Sequence, residues 1–322
     1  MKKILAYRFS AFGDVAMTVP VFREFLEQNP DAEIIMVSRD NFKDLFDGLP
    51  RFTFKGIDFE QYKGFWGMNK LSKQLIGEFK PDMIADLHDV IRSKILNIIL
   101  TRKGYRVYKI EKGKEEKKML TDIKNLNKIQ LKKTVERYAD VFRDMGFPLT
   151  LSHQLRPIST HREGVGIAPF AQHEGKMLSL DKSFELARIL SQNHKIYFFG
   201  GGKDEVEILS HWEKQLPNTE SLAGKLSLRQ EIEHISRLEV MISMDSANMH
   251  LASLAGTRCI SIWGSTHPFA GFLGYGQSEN DVVQIKDLTC RPCSVFGDKK
   301  CYRGDWACLN EISIQHILNK IE

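Results

Sequence analysis

The sequence has no apolar run approaching the roughly 18 residues that span a bilayer. Its longest apolar stretches, such as residues 95–100 with Asn97 inside, are only core-sized. Cysteine is sparse, five in 322 residues, and four of the five fall in one stretch near the end. That excludes the spread framework of a secreted disulfide protein. The start, Met1-Lys2-Lys3-Ile4-Leu5-Ala6-Tyr7, is basic but reaches Arg8 after only a few apolar residues, so it reads as a first buried strand and not an export signal. Nor is apolar content low: 42% hydrophobic against 27% charged is a globular balance, and the length suits two domains. A cytoplasmic enzyme is the expectation.

Charge of one sign is concentrated in one place. Residues 102–137 hold thirteen basic and five acidic residues, a net +8, while the whole chain is only +5. The remainder is therefore slightly acidic. Such a segment is either a solvated loop and helix face or a surface for an anionic partner.

Short strand-like runs alternate with amphipathic helices. Residues 3–9 form a strand, and the following helix buries Val15, Val19, Phe22 and Leu26 at helical spacing. Residues 32–37 and 83–87 are further strands. After a polar stretch at 149–162 containing Pro157, the alternation restarts with strands at 165–168, 196–199, 240–244 and 259–263. Helices are expected at 183–190, 204–216, 228–235 and 247–255, and a final one at 312–321. This pattern predicts an α/β protein with two Rossmann-like domains, 1–160 and 161–322, their parallel sheets facing across a cleft, with ligands at the carboxyl ends of the strands.

The candidate chemistry sits at those ends. Ser10-Ala11-Phe12-Gly13-Asp14 follows the first strand; with one glycine and an acid it departs from G-x-G-x-x-G and would repel a pyrophosphate. Asp14 is either a helix cap or a carboxylate at the cleft mouth. At Ser243-Met244-Asp245-Ser246-Ala247-Asn248-Met249-His250, a strand gives way to a helix that starts with small residues, so its free amides could hold a phosphate. His250 lies one turn on from Ser246, as a core residue or as part of the same pocket. Gly264-Ser265-Thr266-His267-Pro268 ends the next strand. Lys176 is a flexible point charge suited to a pyrophosphate, and Glu205, after three glycines, could bind a ribose diol. Cys290-x2-Cys293-x7-Cys301-x6-Cys308 could hold a structural zinc through four thiolates, or be reduced thiols in a compact loop.

Over essentially its whole length the chain resembles glycosyltransferase family 9, the bacterial heptosyltransferases of lipopolysaccharide core assembly. The resemblance rests on Arg8-Phe9-Ser10-Ala11-Phe12-Gly13-Asp14-Val15 with Thr18 and Pro20, on Asp86-Leu87-His88 with Arg92-Ser93, and on Val135-Glu136-Arg137-Tyr138. It is strongest at Asp245-Ser246-Ala247-Asn248-Met249-His250, at Gly264-Ser265-Thr266-His267-Pro268, at Tyr275-Gly276 and in the four-cysteine tail. It implies a GT-B fold with an N-terminal acceptor domain, a C-terminal donor domain and no catalytic metal. By the same resemblance, Asp14 is the general base, Ser10 and Gly13 line its pocket, and Lys176 neutralises the donor diphosphate. Asp245, Ser246, Ala247 and His250 form the donor motif, joined by Gly264 and Thr266, and Glu205 holds the nucleoside. Ser246-Ala247 stands where Thr-Gly is commoner, and Lys176-Met177-Leu178 lacks the usual Arg-Trp-Pro after the lysine.

The implied reaction is inverting transfer of a heptose from ADP-heptose to a phosphorylated, lipid-linked core oligosaccharide at the inner face of the inner membrane, where the enzyme is peripheral. In this reading the basic segment lies over the acceptor site, with Arg92, Lys112, Lys114 and Arg137 meeting its anionic groups. Another nucleotide sugar as donor, a sugar-nucleotide 2-epimerase, or a non-enzymatic polyanion-binding protein are the alternatives. The segment's only aromatics near its charges are Tyr105, Tyr108 and Tyr138, which counts against nucleic acid.

Overall fold

A computed structural model describes residues 1–321 and divides the chain into two compact units, the first comprising 1–112 and 134–152, the second 113–133 and 153 onward. The boundary thus falls at 152/153 and not at 160. Residues 113–133, expected in the first domain, pack with the second.

In unit 1, β1 (Lys2–Tyr7), β2 (Ala32–Ser38), β3 (Phe52–Gly56), β4 (Met83–Asp86) and β5 (Val107–Lys109) form a fully parallel sheet in the order β3-β2-β1-β4-β5. β1 is central because Ile4, Leu5, Ala6 and Tyr7 are apolar on both faces and wholly buried. The expected first helix is two, α1 (Phe12–Ala16) and α2 (Thr18–Gln28). Pro20 has no N–H to give the Ala16 carbonyl, so the chain breaks at Met17. Next come α3 (Gly64–Phe79) and α4 (Ile91–Arg102). After α5 (Lys114–Leu120), which belongs to unit 2, α6 (Thr134–Asp144) completes unit 1 by burying Val135, Tyr138, Ala139 and Phe142.

Unit 2 has a parallel sheet of six strands, β6 (Val165–Ala168), β7 (Ile196–Phe198), β8 (Thr219–Ser221), β9 (Val240–Met244), β10 (Cys259–Ile262) and β11 (Val282–Val283), ordered β11-β10-β9-β6-β7-β8. Its helices are α7 (Leu180–Leu190), α8 (Lys203–Gln215), α9 (Leu228–Ile235), α10 (Ala247–Leu254), α11 (Ala307–Asn310) and α12 (Ile314–Leu318), the last shorter than the helix expected over 312–321. Residues 113–133 join this unit through Leu120 and Leu131, which pack on Ala270, and through the Leu131 N–H, which donates to the Phe269 carbonyl at 2.9 Å.

In both sheets the chain runs outward through three strands and then returns to the other side of the first. The order therefore reverses between β1 and β4 and between β6 and β9. Loops diverge at such switch points and leave a crevice at the strand ends.

α10 ends in a Schellman turn: the Gly256 N–H donates to Ser253 O at 3.2 Å and the Thr257 N–H to Ala252 O at 2.8 Å. Gly256 has φ +66°, and a Cβ there would stand 2.2 Å from the Arg156 carbonyl oxygen. Gly256→Ala is expected to cost about 2–4 kcal/mol of stability, read as a lower midpoint in chemical denaturation with the folded circular-dichroism spectrum retained.

Candidate functional site

Each switch point carries one charged pair. In unit 1, Arg8 follows β1 and Asp14 lies inside α1. The helix is capped by Ala11 without a side-chain bond, so Asp14 is not its cap. Its Oδ2 instead meets Arg8 Nη2 at 2.5 Å. Arg8 is only 7% exposed; its Nη1 donates to Leu87 O at 2.9 Å, and its guanidinium lies 5.8 Å from the centre of the Tyr138 ring. Burial opposes the arginine's charge, but Tyr138, Asp14 and Asp86 outweigh it and raise its pKa. Tyr138 also donates through its hydroxyl to Asp14 O at 3.3 Å. The carboxylate is thus oriented by one buried cation and its backbone by one buried phenol.

Around this pair the ends of β2, β4 and β5 add Arg39, His88 and Lys112. His88 accepts from the Phe9 N–H through Nδ1 at 3.2 Å, and its pKa is lowered to about 3 by burial and by Arg8, Lys112 and Arg39. It is a neutral imidazole with its proton on Nε2. Asp86 fixes the turn that carries it, accepting from the His88 and Asp89 amides at 2.8 and 2.9 Å and from Asn97 at 2.7 Å. Ser10 and Gly13 border Asp14 and are half-buried. Lys112 reaches Asp89 O at 3.3 Å, Arg137 donates to Glu111 O at 3.2 Å, and Arg92 stacks on Phe59 at 5.3 Å. Lys114, expected beside them, is exposed on α5 of unit 2.

In unit 2, Lys176 follows β6 and Asp245 follows β9. Lys176 Nζ stands 2.9 Å from Asp245 Oδ2. Ser246 is the N-cap of α10 with an extended backbone and no side-chain capping bond, so the first-turn amides beside Ala247 have no cap from it. Ser243 and Ser246 hydroxyls are 3.2 Å apart, and His250 is buried one turn on. Gly264 lets two loops close on one another: a Cβ there would be 2.6 Å from Gly175 O, the oxygen that accepts from both the N–H and the hydroxyl of Ser265 at 2.8 Å. Thr266 Oγ1 is buried with no partner. Glu205 sits apart from this cluster's hydrogen bonds and accepts through Oε2 from the Gly201 and Gly202 amides at 2.9 and 3.3 Å.

Sequence reasoning missed Arg291, which is 6% exposed. Its guanidinium donates to the carbonyls of Gly264, Thr266 and Ile285 and so fixes the loop between β10 and Pro268. Burial lowers its pKa to about 10, which leaves it charged at neutral pH. Arg8 was missed as a site residue too. The signal available was positional, an arginine at a buried strand's end and another between cysteines.

The four tail cysteines, Cys290, Cys293, Cys301 and Cys308, are free and line one small cavity with Ser265 and Arg291. Burial raises the Cys308 pKa to about 11, and burial also raises that of Cys293. Among the described residues no group of three or more His, Cys, Asp or Glu side chains is arranged to hold a metal ion. Among the same residues no helix is long and apolar enough to cross a membrane.

A family model, glycosyltransferase family 9 (heptosyltransferase), matches residues 68–302. A lipooligosaccharide heptosyltransferase 2 of Campylobacter jejuni is 25% identical over 99% of this chain and 97% of its own. Among solved structures, the family 9 glycosyl transferase of Veillonella parvula superposes with a TM-score of 0.74 at 17% identity, covering 99% of this chain and 96% of that one. The ADP-heptose lipopolysaccharide heptosyltransferase II of E. coli gives 0.70 at 20% identity, over 100% and 97%. The GT-B fold expected from the resemblance is therefore observed.

The buried histidines set a pH dependence. His88, and His267 in unit 2, stay neutral in the folded chain down to about pH 3, whereas they protonate near 6.5 when unfolded. Above 6.5 neither state binds the extra proton and stability is at its full value. As pH falls from about 6.5 toward 3 the unfolded state gains protons and stability is lost, by about 1 kcal/mol per unit for each histidine. Urea denaturation from pH 7.5 to 4.5 should show this slope, and His88→Gln should make it shallower.

Proposed function

The chain belongs to glycosyltransferase family 9, and from that premise we propose that it transfers a heptose from ADP-heptose to a sugar of a phosphorylated lipopolysaccharide core. The observation that carries this reading is the Lys176–Asp245 pair at the uncapped N-terminus of α10, 2.9 Å across at a topological switch point. An ammonium beside free helix amides is the arrangement that takes a diphosphate. Ser246, Ala247, His250, Gly264 and Thr266 line the same strand ends, and Glu205 would meet the nucleoside.

Asp14 is the base. Arg8 holds its Oδ2, which leaves Oδ1 to receive the proton of the acceptor hydroxyl. The acceptor oxygen bonds to the anomeric carbon from the face opposite the leaving group, the bond from that carbon to the diphosphate oxygen breaks, and the electron pair departs with ADP. The configuration inverts. Charge growing on the diphosphate is met by Lys176 and the α10 amides, which are already in place. These groups supply the positive charge that a metal ion would otherwise bring. The anionic core is bound by Arg92, Lys112 and Arg137 of unit 1. Such an acceptor is lipid-linked, so the enzyme works as a peripheral protein at the cytoplasmic face of the inner membrane.

Incubation with ADP-heptose and a core acceptor should give a product heavier by one heptose in mass spectrometry; no product with active acceptor and donor would overturn the reading. Asp14→Asn should lower turnover by roughly 10²- to 10⁴-fold with ADP affinity unchanged. Lys176→Ala should instead weaken ADP binding by about 10- to 100-fold in calorimetric titration.

A further inference from the structure

A groove of about 800 Å³ runs along β11, the edge strand of unit 2, and no step of the proposed transfer uses it. Its walls carry Lys128, Lys286, Arg291, His316 and Lys320 against one acid, Glu279. None of these cations forms a salt bridge among the described residues, although Asp122 acts on Lys128 and Asp245 on Arg291 from farther off. Lys128 Nζ donates to the carbonyls of Leu120 and Asp122, both at 2.7 Å; Lys320 Nζ donates to Asn280 O at 2.5 Å; Arg291 is spent on three carbonyls. A backbone carbonyl satisfies an N–H but brings no compensating charge, so the groove keeps a positive potential.

His267 registers that potential. It lines the groove, and its pKa falls to about 3 through burial and the repulsion of Arg291 and Lys128. The remaining lining suits a sugar. Phe269 is half-exposed and lies against His267 with ring centroids 4.2 Å apart, giving an apolar platform. Asn280, Gln284 and Asn319 present amides, and Gln284 Oε1 is buried without a partner. An apolar wall, a few amides and unneutralised cations in a cavity of this size make a small-molecule site for an anion.

We propose that the β11 groove is a second binding site on this chain, for a phosphate-bearing saccharide. The saccharide half of this statement rests on the glycosyltransferase reading; the anionic half rests on the groove alone. Lys128 comes from residues 113–133, so the excursion of that basic segment onto unit 2 completes the site.

The test is calorimetric titration of the full chain, saturated with ADP to fill the donor site, with mannose 6-phosphate, mannose and inorganic phosphate. Mannose 6-phosphate is expected to bind saturably and at least about tenfold more tightly than mannose. A Lys286→Glu, His316→Glu double variant should weaken it by a similar factor with ADP affinity unchanged, which also shows that the variant is folded. Equal binding of mannose and its phosphate, or binding that the double variant leaves intact, would overturn the site. Inorganic phosphate binding as tightly as the sugar phosphate would overturn the saccharide part. Absence of ADP binding by the unmodified chain would count against the glycosyltransferase reading, so the two failures are distinguishable.

Discussion

A buried arginine at the strand ends of each sheet is what both candidate sites depend on. Removing a guanidinium from water costs several kcal/mol unless its donors are met, and the two units meet most of them differently, Arg8 Nε alone of the two guanidinium groups being buried without a partner. Arg8 pairs with Asp14 and reaches the carbonyl of Leu87, joining the ends of β1 and β4 to the short helix that carries the carboxylate. Arg291 has three carbonyls and no carboxylate, and stitches the segment after β10 to that after β11. The first arrangement cancels charge and fixes an orientation. The second fixes a loop and leaves charge over. That difference explains why the Arg8 pKa rises and the Arg291 pKa falls, although both are buried to a similar degree.

The leftover field has a consequence for the histidines. His88 and His267 each lie next to one of these arginines, and each is kept neutral well below the ordinary histidine range. A neutral imidazole whose Nδ1 accepts from the backbone, as in both cases, presents its Nε2–H as a donor across the whole physiological range. The two units therefore hold imidazole donors whose protonation does not fluctuate near pH 7. For sugar hydroxyls, which are recognised by hydrogen bonds of fixed direction, that constancy is useful.

Much of the fold was legible because central parallel strands are apolar on both faces: residues 165–168 and 240–244 were placed to the residue, as was the helix 228–235. β5, β8 and β11, at three, three and two residues, are too short to show a period. β3 was missed for another reason: FTFKG is half-exposed and polar at alternate positions. In the sites, Asp14, Lys176 and Asp245 were legible because strand-to-helix junctions can be read locally. Arg8 and Arg291 were not, since their partners lie up to 79 residues away and most are backbone carbonyls, which no residue type announces. Lys114 was misplaced because Leu120 and Leu131, which carry it to unit 2, look like any pair of apolar residues in a loop.

The cysteine tail makes a last structural argument. Cys293 and Ser294 donate their amides to Ser265 O, and Gly297, with φ +80°, lies so close to Lys176 that a Cβ would stand 2.7 Å from its Cγ. Residues 290–308 therefore cover the back of both the lysine and the loop it shares with Gly264. Small, weakly polar side chains suit such a covering layer, because a cysteine packs like a small hydrophobe and asks for no hydrogen bond. Arg291 sits inside the layer and holds its shape through carbonyls. In that arrangement the tail acts mechanically: it limits the positions open to Lys176 and holds it at the α10 terminus paired with Asp245, so that little side-chain freedom is left there.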